Sequence, residues 1–474
     1  MSLARALYTA VTWCAQPLLK RKLRRRARAE PGYAVAVPER FGRYAQPMDS
    51  LVAHSSVDLM GRFVWIHSVS LGETRAAAIL LRELRAQLPG MRLLLTHGTA
   101  TGRAEGEKLL QPGDVQVWLP WDTPGAVARF LRQFRPAVGV LMETEVWPNL
   151  IAGCQQRGVP LVLANARLNL KSWRGARRLG PLARPAYRGL TAVWAQSKAD
   201  AQRLEDLGAP VRGVLGNLKF DVVPDAAQME RGRGWRLLTG RPVVMLASSR
   251  EGEETQWLEF IRSKQLAVQA DQAQEAPENI AKDTSHHPAQ SPVPQTVQWL
   301  IVPRHPHRFE EVLQLLQGAG LSVSRRSAWV GDAPAPADVW LGDSVGEMAA
   351  YYAMADVVLL GGSFAPFGGQ NLIEAAACGC PVVVGPHTFN FAEATELACG
   401  VGAAWRTPGM QAAAQMACAL VQDPDRLRAA RAAARSFAQA HRGAARATAR
   451  QVASLLGISP SYLAAYAEGD ARPA

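Results

Sequence analysis

Cysteine is scarce in this chain of 474 residues: there are six, without the paired spacing that staples small secreted domains, and the Cys378-Gly379-Cys380 pair falls at an apolar helix-to-strand junction. That argues against a disulfide framework and for reduced cytosolic thiols. Long apolar runs are lacking too. The N-terminal stretch Leu3 to Leu19 is short for a spanning helix and carries Arg5, so it reads as a membrane-embedded or interfacial anchor in preference to a deep span. A cleaved signal peptide is disfavoured because the cationic run Lys20 to Arg28 follows the apolar stretch instead of preceding it. Acidic residues are in deficit, 40 against 53 Lys and Arg, for a net charge of +13, which calls for an anionic partner such as a membrane surface, a nucleic acid or a phosphorylated substrate. Aromatic residues make up only 7%. No stacking platform or recognition motif accompanies the basic runs, so nucleic acid is set aside. Metal-ligand spacing is missing as well: His286-His287, His305 and His307 have no carboxylate suitably placed beside them.

What is present is a globular composition, 48% hydrophobic and 20% charged, in a chain too long for one core. From about Arg62, short apolar segments alternate with helical patterns: Phe63 to His67, Met91 to His97, Val115 to Leu119, Ala137 to Met142, Val159 to Ala164 and Ala192 to Ala195. A second series runs through Val243 to Leu246, Trp299 to Val302, Asp338 to Leu341, Val357 to Leu360 and Val382 to Val384. The expected architecture is α/β, two doubly wound Rossmann-like domains facing a central cleft, with function in the loops at the strand carboxyl ends. The boundaries expected are an anchor and basic run over 1–30, an N-terminal domain over 31–222, a linker over 223–241, a C-terminal domain over 242–440, and a C-terminal helix and tail over 441–474. Residues 263–298, rich in Gln, Ala, Asp, Pro and His and without apolar periodicity, read as a disordered insertion.

The second series is organised around Gly361-Gly362-Ser363-Phe364-Ala365-Pro366-Phe367-Gly368-Gly369-Gln370-Asn371-Leu372-Ile373-Glu374, which follows a buried strand and opens an Ala-rich helix. Glycines let the main chain approach a ligand, and a helix start offers unpaired N–H groups to a phosphate. Glu374, in the first turn, suits either a sugar hydroxyl or a helix cap. Other candidates also follow strands. Glu73, in Ser68-Val69-Ser70-Leu71-Gly72-Glu73, is either a helix-capping acid or an acid at the mouth of the cleft. Glu143 and Glu145 lie after Ala137 to Met142, and crowding of carboxylates raises a carboxyl pKa toward acid/base use. Pro148 reads as a first-turn helix proline, so the alternative is that one of these acids only caps that helix. Lys219 suits an anion or is a solvated lysine; Arg304 at a strand end suits a diphosphate or phosphodiester. The basic stretch Arg167 to Arg188 is either a lipid-phosphate surface or a solvated helix face.

Taken together, Glu39-Arg40-Phe41-Gly42, His67 to Glu73, Met142 to Leu150, Asn165-Ala166-Arg167-Leu168, Leu218 to Asp221, Glu251 to Glu254, Arg304-His305-Pro306 and Gly385 to Phe391 resemble, in order, the 3-deoxy-D-manno-octulosonic acid (Kdo) transferases of lipopolysaccharide assembly. The resemblance implies a GT-B glycosyltransferase with an N-terminal membrane-associated helix at the cytoplasmic face of the inner membrane. It would move Kdo, with inversion, from CMP-Kdo to a lipid A precursor (lipid IVA), without metal or other cofactor, next to an anionic membrane surface. By the same resemblance Glu73 is the general base, and Glu143 and Lys219 support the transition state. Arg304, His305, Val345, Gly346, Glu347, Asn371, Leu372, Ile373 and Glu374 form the CMP pocket. Arg250 and Gln370 stand where the family usually has His. Alternatives are another GT-B nucleotide-sugar transferase or epimerase, and a non-catalytic lipopolysaccharide-binding membrane protein.

Overall fold

The computed structural model describes residues 2–45, 62–274, 297–330 and 333–458. They form two units, Met1–Asp221 with His441–Ala474, and Val222–Ala440.

The first unit carries strands β1 (Phe63–Ser68), β2 (Arg92–His97), β3 (Val115–Trp118), β4 (Val138–Met142), β5 (Leu161–Ala166), β6 (Ala192–Ala195) and β7 (Val211–Val214). They form one parallel sheet in the order β3-β2-β1-β4-β5-β6-β7. Its helices are α1 (Leu3–Cys14), α2 (Gln16–Ala29), α3 (Leu71–Gln87), α4 (Ala100–Glu107), α5 (Pro124–Phe134), α6 (Pro148–Gln156), α7 (Leu170–Arg178), α8 (Gly180–Arg188) and α9 (Lys198–Asp206). Both faces of the sheet are covered, so β1 is apolar from Phe63 to Ile66 instead of alternating. Phe63 and Trp65 pack with Val127, Phe130 and Leu131 of α5, whereas Val64 and Ile66 pack with Leu80 and Leu84 of α3. The helix Ala444–Leu455 returns to this second layer, where Ala445, Ala449 and Val452 join the same core. Asp221 anchors its start by accepting the Ala445 N–H at 2.6 Å and that of Gly443 at 2.5 Å.

The second unit repeats the plan with β8 (Val243–Ser249), β9 (Gln298–Pro303), β10 (Val323–Arg325), β11 (Val339–Leu341), β12 (Val357–Leu360), β13 (Val382–Val384) and β14 (Ala404–Arg406). The order is β10-β11-β9-β8-β12-β13-β14, again parallel. Its helices are α10 (Ala226–Leu238), α11 (Glu253–Gln274), α12 (Phe309–Gly318), α13 (Met348–Met354), α14 (Leu372–Ala377), α15 (Ala392–Gly400), α16 (Met410–Gln422) and α17 (Pro424–Ala440). Asp423 accepts the Arg426 N–H at 3.0 Å and opens α17.

Two stretches differ from the sequence reading. The expected linker 223–241 holds α10, capped by Asp225 through the Gln228 N–H (2.8 Å). This helix packs so tightly on α13 that a Cβ on Gly232 would lie 2.0 Å from the Ala350 carbonyl. The expected insertion begins inside α11, which runs on to Gln274, because Ser263 to Gln274 is rich in Ala, Gln and other residues that propagate a helix already nucleated upstream. The rest of that insertion, 275–296, lies outside the described residues. At the N-terminus, the anchor is a pair of helices, broken where Pro17 enters the first turn of α2. Among the described residues no helix is long and apolar enough to cross a membrane. Tyr8 of α1 hydrogen-bonds Asp122 and Thr9 donates to Asn149 at 3.2 Å, leaving Leu3, Leu7, Val11 and Leu18 outward and exposed.

Candidate functional site

In an open parallel sheet, ligands bind beyond the strand carboxyl ends where the winding reverses. The first sheet reverses between β1 and β4, and these two strands deliver Glu73 and the pair Glu143 and Glu145.

Ser70 caps α3, its Oγ accepting the Glu73 N–H at 3.3 Å. The Glu73 carboxylate reaches back to accept the Val69 N–H (2.8 Å) and the Ser70 hydroxyl (3.1 Å). This is a variant of the capping box, with the carboxylate on the N–H one residue before the cap, so the capping reading of Glu73 holds. The box also fixes the carboxylate at the sheet edge. Burial raises the Glu73 pKa to about 7, against the Val69 hydrogen bond and aided by the negative charges of Glu143 and Glu145. A capping acid normally ionises far lower.

Glu143 adopts φ +58° and Asn165, at the irregular β5–β6 pairing, φ +52°. Left-handed backbone is costly for residues other than glycine and concentrates at functional positions. The two are coupled: the Glu143 N–H donates to the Ala164 carbonyl, and the Arg167 N–H to that of Glu143. Asn165 Oδ1 in turn accepts the Leu218 N–H at 3.0 Å, and Asn217 Oδ1 accepts that of Lys219. This loop brings Lys219 Nζ to 3.7 Å from Glu143. Glu73, Glu143 and Lys219, far apart in sequence, therefore belong to one sheet edge. Beneath them is a feature the sequence reading missed. His67 is fully buried, its Nδ1 bonded to Thr96, and its Nε2 lies 3.9 Å from Glu145 Oε2 without a hydrogen-bond partner. Burial lowers the His67 pKa to about 4 and raises that of Glu145, so the imidazole is neutral. The Ser-x-Ser-x-Gly-Glu spacing draws attention to the acid and gives no hint that the preceding His lies below it.

The second sheet reverses between β8 and β12. Glu253, in the first turn of α11 and 0% exposed, holds the glycine-rich loop after β12 with one carboxylate. It accepts the N–H groups of Gly362 (2.8 Å), Phe364 (3.0 Å) and Ala365 (3.3 Å), and of Arg250 (2.9 Å). Gly361 is required sterically, since a Cβ there would lie 2.4 Å from the Ser248 carbonyl. Glu253 was legible only as part of the acidic run Glu251 to Glu254, because three of its four partners lie more than a hundred residues downstream. Around it stand cations: Arg250, its guanidinium 4.1 Å over Phe367, and Arg304, whose N–H donates to the Ser249 carbonyl at 3.1 Å. His305 stacks on His307 at 5.4 Å, its pKa lowered by burial and by Arg250 and Arg304.

Asn371 caps α14 by accepting the Ile373 N–H (3.1 Å) and donates to Glu374 Oε1 (3.0 Å). Leu372 and Ile373 are buried, so only their backbone is available to a ligand. Val345 is exposed, and Gly346, at φ +89°, gives its carbonyl to Gln228 Nε2 at 2.9 Å. Glu347 is held by Arg231 (2.9 Å) and Arg326 (3.1 Å), the latter stacked over Trp235. These contacts give Glu347 a structural part whatever ligand lies near it.

A family model for the 3-Deoxy-D-manno-octulosonic-acid transferase (kdotransferase) matches residues 36–222. The 3-deoxy-D-manno-octulosonic acid transferase of Bordetella pertussis is 44% identical over 461 residues, covering 96% of this chain and 100% of the relative. The chain belongs to the Kdo transferase family. The transferase of Haemophilus influenzae is 30% identical over 82% of this chain and 84% of its own. A solved glycosyltransferase from Rickettsia africae shares the fold at 11% identity, with a TM-score of 0.52, covering 84% of this chain and 99% of that one. Family membership makes the chain a glycosyltransferase, and its two parallel-sheet α/β units have GT-B-like neighbours. Glu73, Glu143 and Lys219 lie within the matched region, and Arg304, His305, Val345 to Glu347 and Asn371 to Glu374 lie beyond it.

Proposed function

We propose that this chain transfers Kdo from CMP-Kdo to a lipid A precursor, lipid IVA, in lipopolysaccharide synthesis. The observation that carries this reading is the Glu73 carboxyl, fixed at the β1/β4 reversal and raised to about 7, in a member of the Kdo transferase family. A base whose pKa matches the working pH is poised to take the proton of an acceptor hydroxyl. As that proton moves to Glu73, the acceptor oxygen bonds the anomeric carbon of Kdo and the bond to CMP breaks from the opposite face, giving inversion. Lys219 and Glu143 stabilise the charge that develops beside the base.

On the second unit, Arg304 and His305 receive the departing CMP anion, and the glycine-rich loop, held in shape by Glu253, borders it. Asn371 and Glu374 take hydroxyls of the donor, and the backbone of Val345 to Glu347 borders the cytosine nucleotide. No metal or other cofactor is assigned a part in this scheme. The acceptor thus belongs to the first unit and the donor to the second. The outward apolar stripe of α1 and the basic residues of α2 suit attachment to the cytoplasmic face of the inner membrane.

The decisive experiment supplies purified protein with freshly generated CMP-Kdo and a tetraacyl lipid A precursor and weighs the products by mass spectrometry. The expected result is addition of Kdo by the wild type and none by Glu73→Gln, while that variant still binds CMP. Loss of CMP binding in Glu73→Gln, or displacement of the donor by UDP as readily as by CMP, would overturn this assignment.

A further inference from the structure

The first unit contains a cavity remote in sequence from the carboxylates of the β1/β4 edge. It measures about 640 Å³ and lies between α2, the segment Tyr33 to Arg43 and the start of α5. That volume is in the range of pockets that enclose organic ligands of a few hundred daltons, and far exceeds an inorganic anion. Its lining combines two chemistries. Trp13, Leu23, Tyr33, Val37 and Phe41 form apolar walls, and Lys20, Arg24, Arg43 and Arg129 supply four cations with no acidic residue among the lining. Some of these groups are engaged: Lys20 lies 4.7 Å over the Phe41 ring, and Arg129 donates to the Phe41 and Gly42 carbonyls. The guanidinium groups of Arg24 and Arg43 make no ion pair or hydrogen bond among the described residues. Neither Glu73, Glu143 nor Lys219 lines the cavity.

A hydrophobic chamber bordered by uncompensated cations favours a ligand with an apolar body and an anionic head, because each part alone would satisfy only half of the lining. Trp13 on the cavity wall is exposed, and α1 and α2 also expose Leu7, Val11 and Leu18. An amphiphile reaching it would meet apolar surface on its way in. We propose that this cavity binds one molecule of a phosphate-bearing lipid, its headgroup phosphate on Arg24 and Arg43 and its acyl chain along Leu23, Val37 and Phe41. The site is separate from sugar transfer and would tie the N-terminal helices to the body of the first unit when occupied.

The test uses the full chain, without any sugar donor, titrated by calorimetry with dihexanoyl phosphatidic acid kept below its micellar concentration. Parallel arms use inorganic phosphate, hexanoate and uncharged dihexanoylglycerol. One equivalent of phosphatidic acid is expected to bind saturably, at least tenfold tighter than any of the three. The double variant Arg24→Gln/Arg43→Gln should lose tenfold or more, and Ala27→Trp, which fills the chamber while keeping every cation, should lose binding altogether. Both variants are checked for unchanged circular dichroism and melting. If Ala27→Trp fails that check, the arginine variant decides, since its side chains are exposed. Equal binding of phosphate alone would make this a plain anion site, and equal binding of the glycerol a plain apolar one. Wild-type affinity in the arginine variant would place the lipid elsewhere. Any of these overturns the proposal.

Discussion

Glu73 carries two loads, a helix cap and a carboxyl held at about 7, and they respond differently to substitution. Only the ionised form can accept a proton, so transfer should rise with pH through about 7 and level off above it. Replacing Glu145 with Gln removes one of the charges that raise this pKa, so the midpoint should move to lower pH in a kcat/KM profile. An unmoved midpoint would assign the ionisation to another group. Stability runs the other way. A carboxyl whose pKa is raised from 4.5 to about 7 binds its proton more tightly folded than unfolded. Its stabilising contribution is complete below 4.5 and is lost as pH climbs through 7. Gln keeps a carbonyl for the Val69 N–H and never ionises. The melting temperature of Glu73→Gln relative to wild type should therefore be higher at pH 8.5 than at pH 5.5, by differential scanning fluorimetry.

At the scale of elements, single side chains hold whole loops. Ser70→Ala removes the cap of α3 and should cost about 1 kcal/mol of stability, with a larger loss of transfer because Glu73 also loses its anchor. Glu253 holds four backbone N–H groups in a fully buried place. Glu253→Ala leaves them unpaired at roughly 1–3 kcal/mol each and should abolish CMP binding in a titration, with Glu253→Gln intermediate because one carbonyl remains as an acceptor. CMP binding by Glu253→Ala at wild-type strength would show that the glycine loop does not need its buried support. The loop is glycine-rich for a related reason: the carbonyl of Ser248 occupies the space a side chain on Gly361 would take.

Across the whole chain, the C-terminal helix belongs to the unit that the N-terminus begins. Ala449 and Val452, both 0% exposed, complete the layer that also buries Leu80 and Leu84. Truncation after Ala440 should lower the unfolding temperature of the first unit and leave that of the second unchanged, by calorimetry with CMP added to mark the second transition. A burial of this kind is worth roughly 1.5–3 kcal/mol per large apolar side chain, so the shift should be several degrees.

The amino-acid sequence by itself determined the repeating strand-helix pattern, since strands buried on both faces carry apolar runs without alternation, as β4, β12 and β1 from Phe63 to Ile66 do. It also marked the acids and glycines that follow those strands, and the ordered motifs that place the chain among Kdo transferases. The short strands β7, β10 and β14 were not legible, because a three- or four-residue strand at or near a sheet edge carries little periodicity. Nor was α10, whose stability comes from its close approach to α13. Only the tertiary structure decided that β1 lies beside β4, and β8 beside β12. Those adjacencies turn distant carboxylates into neighbours, raise Glu73 by burial, and set Glu253 under a loop more than a hundred residues away. Periodicity is local and survives in the sequence; desolvation and charge proximity depend on which segments meet, and that is fixed by packing.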